Sequence, residues 1–294
     1  MNQGWAERDG NGHYWPAQPP MIPPPFYATP TDPLVSPDYP GWWRRSITLI
    51  RQIWKPALIL HTIAAVPTLA LTVPTDLAFT AQTQALMTTE PPVFLPYLGA
   101  VALTIAAVLA ASLIAAVTTA VNVHLVIQAA TGQPVNLRTA ATTGLRRAPA
   151  VIGWLLIANL LTTVALLMCV LPVFYVGAAL MILPVLVTVE RGSGISRAFA
   201  LFHADLGTSV ARVASLFGLT AGMTIALSTV SVTLELAIGG TAGTVTASLW
   251  NGLYLLPAGI AVTPLLVTAY ADMRSRLEPF STAYLMPPPP PPPP

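Results

Sequence analysis

Apolar residues in this chain come in blocks far longer than a buried soluble helix requires. Between Arg147 and Glu190 the chain passes 42 residues without a charged side chain. A bilayer core about 30 Å thick is crossed by about 20 helical residues rising 1.5 Å each. The block therefore predicts two spans, 149–170 and 174–189, folded against each other at Cys169-Val170-Leu171-Pro172 and interrupted by Pro184 in the second. The uncharged run 91–137, 47 residues long, has no turn signal before Thr131-Gly132. It predicts one helix from about 96 to 130, whose excess projects into the cytosol with Asn122, His124 and Gln128. A first span is expected at 56–74 with a kink at Pro67, then a polar loop over 75–94 carrying Asp76 and Glu90. Spans at 210–234 and 245–270 follow, reversed by Gly239-Gly240 and Gly243, the last bent by Pro257 and Pro264. The fold class is all-α: a polytopic bundle of six transmembrane helices with cytosolic interfacial helices and disordered proline-rich tails.

Two stretches between the blocks read as amphipathic. Trp43, Ile47, Ile50 and Trp54 recur at spacings of 4, 3 and 4, one helical face. With Trp42, Trp43 and Trp54 as interfacial anchors and Arg44, Arg45, Arg51 and Lys55 for anionic lipid headgroups, 42–55 is expected to lie at the membrane surface. Ile195, Ala198, Phe199, Phe202 and Leu206 share a face opposite Arg197, Ala200 and Ala204, and predict a second helix in the inner interface. Residues 133–147 read as a loop and short helix with Arg138, Arg146 and Arg147.

Residues 1–41 hold ten prolines and no helical or alternating period, and are expected to form a disordered cytosolic tail. The transmembrane domain spans 42–280, and 281–294 is a polyproline tail. Its prolines 287–294 make a rod about 25 Å long at 3.1 Å per residue, a shape that docks on aromatic grooves of cytosolic partner proteins. With six crossings and the amino terminus inside, all 13 Lys and Arg fall on the cytosolic side of the plasma membrane.

Composition supports the membrane class, because 54% of residues are hydrophobic and 8% charged, against about 25% charged in a soluble domain. A net charge of +2 argues against a nucleic-acid partner and leaves membrane lipid as the acidic partner. The first forty residues lack the apolar core of a signal peptide, so the first span is expected to act as an uncleaved anchor. Twelve Arg against one Lys hints at a GC-rich bacterial source. Cys169 is the lone cysteine, which excludes an internal disulfide or thiolate cluster.

Catalytic chemistry is sparse. His61 is the one ionisable side chain plainly inside a span, and it is expected to hydrogen-bond a neighbouring helix, as are Asn159 and Asn251. HExxH, GxSxG and GxxxxGK[ST] patterns are absent. Neither metal nor cofactor is expected, and the reading is non-enzymatic.

Three stretches, GQPVNLRTAATTGLRRAPAVIGW at 132–154, LPVLVTVERGSGISRAFALFHADLGTSVARV at 183–213 and YLLPAGIAVTPLLVTAYADMRSRLE at 254–278, resemble in order a known membrane domain. That domain accompanies some glycerophosphoryl diester phosphodiesterases and occurs alone in actinobacterial proteins with proline-rich amino-terminal tails. The resemblance covers most of 42–280 and implies six spans. The catalytic barrel is missing, and Ala200-Leu201-Phe202-His203-Ala204-Asp205 departs from the family's Ser-Trp and basic pattern. Within it, Glu190 and Asp272 end two helices among Arg191, Arg197, Arg274 and Arg276, and ion pairs there are expected to clamp the cytosolic helix ends. A bundle that organises or senses the inner leaflet follows. The alternative is a permease-like transport subunit whose 191–212 helix docks a separate ATPase.

Overall fold

The computed structural model describes residues 27–88, 94–168, 170–192 and 194–286. The chain forms α1 Tyr39–Thr88, α2 Phe94–Ala130, α3 Leu137–Met168, α4 Val170–Leu180, α5 Leu183–Val189, α6 Ile195–Ala204, α7 Leu206–Ile238 and α8 Gly240–Leu277, then a 3-10 turn Thr282–Leu285. Strands are absent among the described residues. Six segments are long and apolar enough to cross a bilayer: α1, α2, α3, Leu171–Val189, α7 and α8. The protein is thus an all-helical, multi-pass membrane protein.

Helix ends differ from the sequence pattern where proline or polar residues suggested a break. α1 runs 50 residues with Pro56, Pro67 and Pro74 inside it, about 75 Å at 1.5 Å per residue. Residues 42–55 are therefore the projecting end of the first span rather than a separate helix in the membrane plane, and the expected loop over 75–94 is helical as far as Thr88. α3 likewise fuses the short helix and the third span across Pro149. Proline is tolerated inside membrane helices because neighbouring helices and hydroxyls re-satisfy the freed carbonyls. Pro184 does coincide with a break, sitting in the first turn of α5, where its missing N–H is harmless. Gly239 and Gly240, with φ of 72° and 57°, make the sharp reversal into α8 that other residues resist.

Burial is concentrated at one pole. Trp42, Leu49 and Ile53 of α1, Val123 and Leu125 of α2, Leu183 and Leu186 of α5, Leu201 of α6 and Leu265 of α8 form one core there. Farther out on α2, α3 and α7, Leu98, Ile105, Leu160, Leu167, Ile225 and Val232 are exposed, a surface for lipid tails, which are as apolar as leucine. The core pole also collects both described chain ends and every described Lys and Arg, whereas Asp76 and Glu235 lie at the opposite pole.

The tails are partly structured, against expectation. Leu34 is fully buried, Ser36 and Asp32 nearly so, and Phe280, Ser281 and Thr282 are buried at the other end. Residues 27–38 thus form an arm laid over the core pole, and the membrane domain includes the chain up to Met286. The remaining expected tail segments, 1–26 and 287–294, lie outside the described residues, as do Glu90 and Cys169.

Candidate functional site

The core pole carries three polar nodes and one exposed basic face. At the first node, Glu190 at the end of α5 meets Arg197 of α6 (Nε to Oε2, 3.2 Å) and Arg274 of α8 (Nη1 to Oε1, 3.5 Å). Both arginines also reach Glu278 Oε1, at 2.7 and 2.6 Å. Tyr270 donates its hydroxyl to Glu190 at 2.7 Å and accepts from Arg274 at 2.8 Å. The guanidinium of Arg274 lies 4.5 Å over the Phe280 ring. Two acids and two arginines thus close a ring that ties α5, α6 and α8 together. Burial works to raise the Glu278 carboxyl, but the hydrogen bonds from Arg197 and Arg274 outweigh it and hold the group below the ordinary glutamate value.

The second node is deeper. Arg212 of α7 gives Nε and Nη2 to Asp272 Oδ2 at 3.1 and 3.0 Å, with side-chain exposures of 4% and 0%. The other Asp272 oxygen accepts the backbone N–H of Ser36, and Arg212 also reaches the Asp38 carbonyl at 3.3 Å. The Tyr39 and Trp42 rings flank the guanidinium at 5.7 and 5.6 Å.

At the third node the Asp32 carboxylate accepts from the N–H groups of Leu34, Val35 and Thr282, each at 2.9 Å, and from the Thr282 hydroxyl at 2.6 Å. Arg45 donates to the carbonyls of Asp32 and Pro30 at 2.6 and 2.7 Å. These bonds sew the arm to α1 and to the carboxyl-terminal turn.

The expected residues divide accordingly. Glu190, Arg197 and Arg274 do meet, but Asp272 belongs to a different pair with Arg212. Arg276 points to Asp205 at 3.9 Å and the Pro37 carbonyl at 3.5 Å, and Arg191 is exposed on the turn after α5. Asp205 caps α7 by accepting from the Thr208 hydroxyl and N–H, and these bonds lower its carboxyl below the ordinary aspartate value. Tyr270, Glu278, Arg212, Asp32 and Ser36 were missed as partners. Tyr270 and Glu278 stand in the resembling stretch 254–278, and Arg212 is a lone charge in the apolar opening of α7, so these three carried a visible signal, but none that named its partner.

On α1 the anchors are corrected. Trp42 is fully buried in the core and anchors nothing in a membrane interface. The buried stripe is Trp42, Ser46, Leu49, Ile53 and Ala57, one residue out of phase with the expected one. Ser46 disguised it, since its hydroxyl is satisfied inside by Thr268 at 2.8 Å and by the Trp42 carbonyl. Trp43 is half-buried, and Trp54 is exposed with Lys55 Nζ 5.6 Å from its ring centre. Arg45 is spent on the arm, a correction to its headgroup role. Arg44, Arg51 and Lys55 are exposed and carry no ion pair among the described residues. Offsets of 7 and 4 residues put these three on one helical face.

α6 presses Ala198, Leu201 and Phe202 into the core and leaves Ser196, Ala200 and His203 outward. Asn159 and Asn251 are exposed rather than bonded across helices, whereas His61 does meet a neighbouring helix, at Asn122. No group of three metal-ligating side chains comes together among the described residues. Comparison of the chain with protein-family models, curated proteins and solved structures returned no match.

Proposed function

We propose that this protein is a non-enzymatic, multi-pass protein of the plasma membrane that senses or organises anionic lipid of the inner leaflet, with its core pole in the cytosol. The observation that carries this reading is the unpaired basic face of α1. Arg51 and Lys55 lie within about 8 Å of Pro56 along the helix axis, inside the headgroup layer that flanks the hydrocarbon. Arg44 stands about 18 Å out, where it contributes only screened, longer-range attraction. Arg146 and Arg191, exposed at the ends of neighbouring spans, extend the basic belt around the molecule. Glu190, Glu278 and Asp272 are already matched to Arg197, Arg274 and Arg212, and the Asp32 carboxylate is filled by N–H groups and the Thr282 hydroxyl, so the belt's free cations have lipid phosphate as their natural counter-ion. Two of the three stretches that resemble the phosphodiesterase-associated membrane domain, 183–213 and 254–278, contribute Glu190, Arg197, Asp272 and Arg274 to this pole, which suits a shared architecture and brings no activity with it.

Each cation near an anionic surface is worth about 1 kcal/mol, so Arg51→Gln with Lys55→Gln should erase most of the lipid preference and Arg44→Gln little of it. The check is native mass spectrometry of the full chain released from mixed nanodiscs, counting retained phosphatidylglycerol against phosphatidylcholine. Equal retention of the two lipids by the unsubstituted protein would end this reading.

A further inference from the structure

At the core pole a pocket of about 320 Å³ opens between α1, residues 31–33 of the arm and the end of α2. Its wall on α1 is one helical face, Gly41, Arg45, Thr48 and Gln52 at spacings of 4, 3 and 4, with Arg44 next to it. Arg45 gives Nε and Nη2 to the carbonyls of Asp32 and Pro30, and these two bonds hold its guanidinium in place. Its Nη1 makes no hydrogen bond among the described residues and lies over Gly41, 3.0 Å from where a Cβ would stand. Arg44 is exposed and uses none of its five N–H groups, and the Gln52 amide is also free.

The acids of this corner do not answer these charges. No carboxylate oxygen comes within 4.0 Å of either guanidinium among the described residues. Asp32, the one acid in the lining, has its carboxylate filled by the N–H groups of Leu34, Val35 and Thr282 and by the Thr282 hydroxyl. Asp38 caps α1 by accepting the Gly41 N–H at 2.7 Å. Two positive charges and free N–H groups from three side chains therefore share one pocket. A carboxylate brings one charge and two oxygens, whereas a phosphate monoester brings three terminal oxygens and a charge of about −1.5 to −2.

Position excludes the ordinary lipid phosphate. Arg44 and Arg45 stand about 17 Å from Pro56 along the helix axis, beyond a headgroup layer about 5–8 Å deep on each side of the hydrocarbon. A phosphodiester at the level of Arg51 and Lys55 does not reach them.

We infer that this pocket binds a phosphate monoester, either on a small molecule free in the cytosol or carried outward on an extended polyol headgroup. Arg44 and Arg45 Nη1 hold its oxygens, and the Gln52 amide adds a neutral donor. The site shares the bilayer boundary at Pro56 with the anionic-lipid reading but not its residues, so the two fail separately.

The full chain in phosphatidylcholine nanodiscs and phosphate-free buffer would be titrated calorimetrically with inorganic phosphate and with glycerol 3-phosphate. In parallel, nanodiscs carrying phosphatidylinositol or its 4-phosphate would be compared by native mass spectrometry for lipid retained. Saturable binding of a soluble probe identifies a free phosphate compound, and retention of the 4-phosphate above phosphatidylinositol identifies an extended headgroup. Arg44→Gln should weaken whichever is seen about tenfold, the effect of one lost hydrogen bond to a charged group. Thr48→Glu, which sets a carboxylate in the pocket from an exposed position, should abolish it. Arg51→Gln with Lys55→Gln should leave it intact, and limited proteolysis of the arm checks that all the variants are folded. No binding of either soluble probe together with equal retention of the two lipids overturns the proposal. So does binding that both pocket variants leave unchanged.

Discussion

Asp272 has arginines two and four residues ahead of it on its own helix, yet it is neutralised by Arg212, 60 residues away. The reason is direction: Arg274 and Arg276 leave α8 toward α5 and toward the arm, while Asp272 faces the buried side between α7 and α8. Removing one member of such a pair leaves an uncompensated charge in the core. Arg212→Met should therefore destabilise the protein by about 3–5 kcal/mol, and Arg212→Met with Asp272→Leu by clearly less than the single change. Chemical denaturation of the detergent-solubilised chain checks both. The phase of α1 teaches the same lesson in hydrophobic terms. Residues 42-46-49-53 and 43-47-50-54 share one spacing, so periodicity cannot choose between them, and the polar Ser46 weighed against the stripe that is in fact buried. What settles it is the hydroxyl of Thr268 facing Ser46, which no local pattern reveals.

Among the elements, the helices were readable but only some of their joins, such as the break between Met168 and Val170, were. Uncharged length marked α2 to within two residues and the Gly239-Gly240 reversal where it stands, because both depend on neighbouring residues alone. Prolines at 56 and 149 suggested boundaries that the packed helices ignore. The arm was the larger surprise. Its composition is that of a disordered segment, and it orders only because Asp32 finds Thr282, 250 residues distant, and Ser36 finds Asp272. Asp32→Ala removes four hydrogen bonds to one carboxylate and should cost about 2 kcal/mol or more. The arm should then be cut by protease near 33–37 at concentrations that spare the unsubstituted protein, whereas a merely decorative arm would be cut equally in both.

For the whole molecule, the even number of spans and the gathering of Lys and Arg at one pole argue for a single orientation. Single cysteines in a Cys169→Ser background test it on cells. Gln84→Cys, exposed near the end of α1, should react with a membrane-impermeant maleimide in intact cells, and Ser196→Cys, exposed on α6, only after lysis. The reverse pattern would invert the protein and remove the inner leaflet from its function.

The number of spans, the all-helical class and the crowding of basic residues beside apolar blocks were set by the chain alone. Charge-free length, helix rise and bilayer thickness are compared residue by residue, without knowledge of any partner. Which of those basic residues stay free and which are consumed was decided by the tertiary structure. Arg45 and Arg212 look like Arg44 and Arg51 in the sequence, but only a fold that brings the arm, α7 and α8 together at one pole can oppose them with carbonyls and a buried carboxylate. The bonds of Asn122 to His61 and to the Gly259 carbonyl have the same origin, since the three groups meet only where α1, α2 and α8 converge.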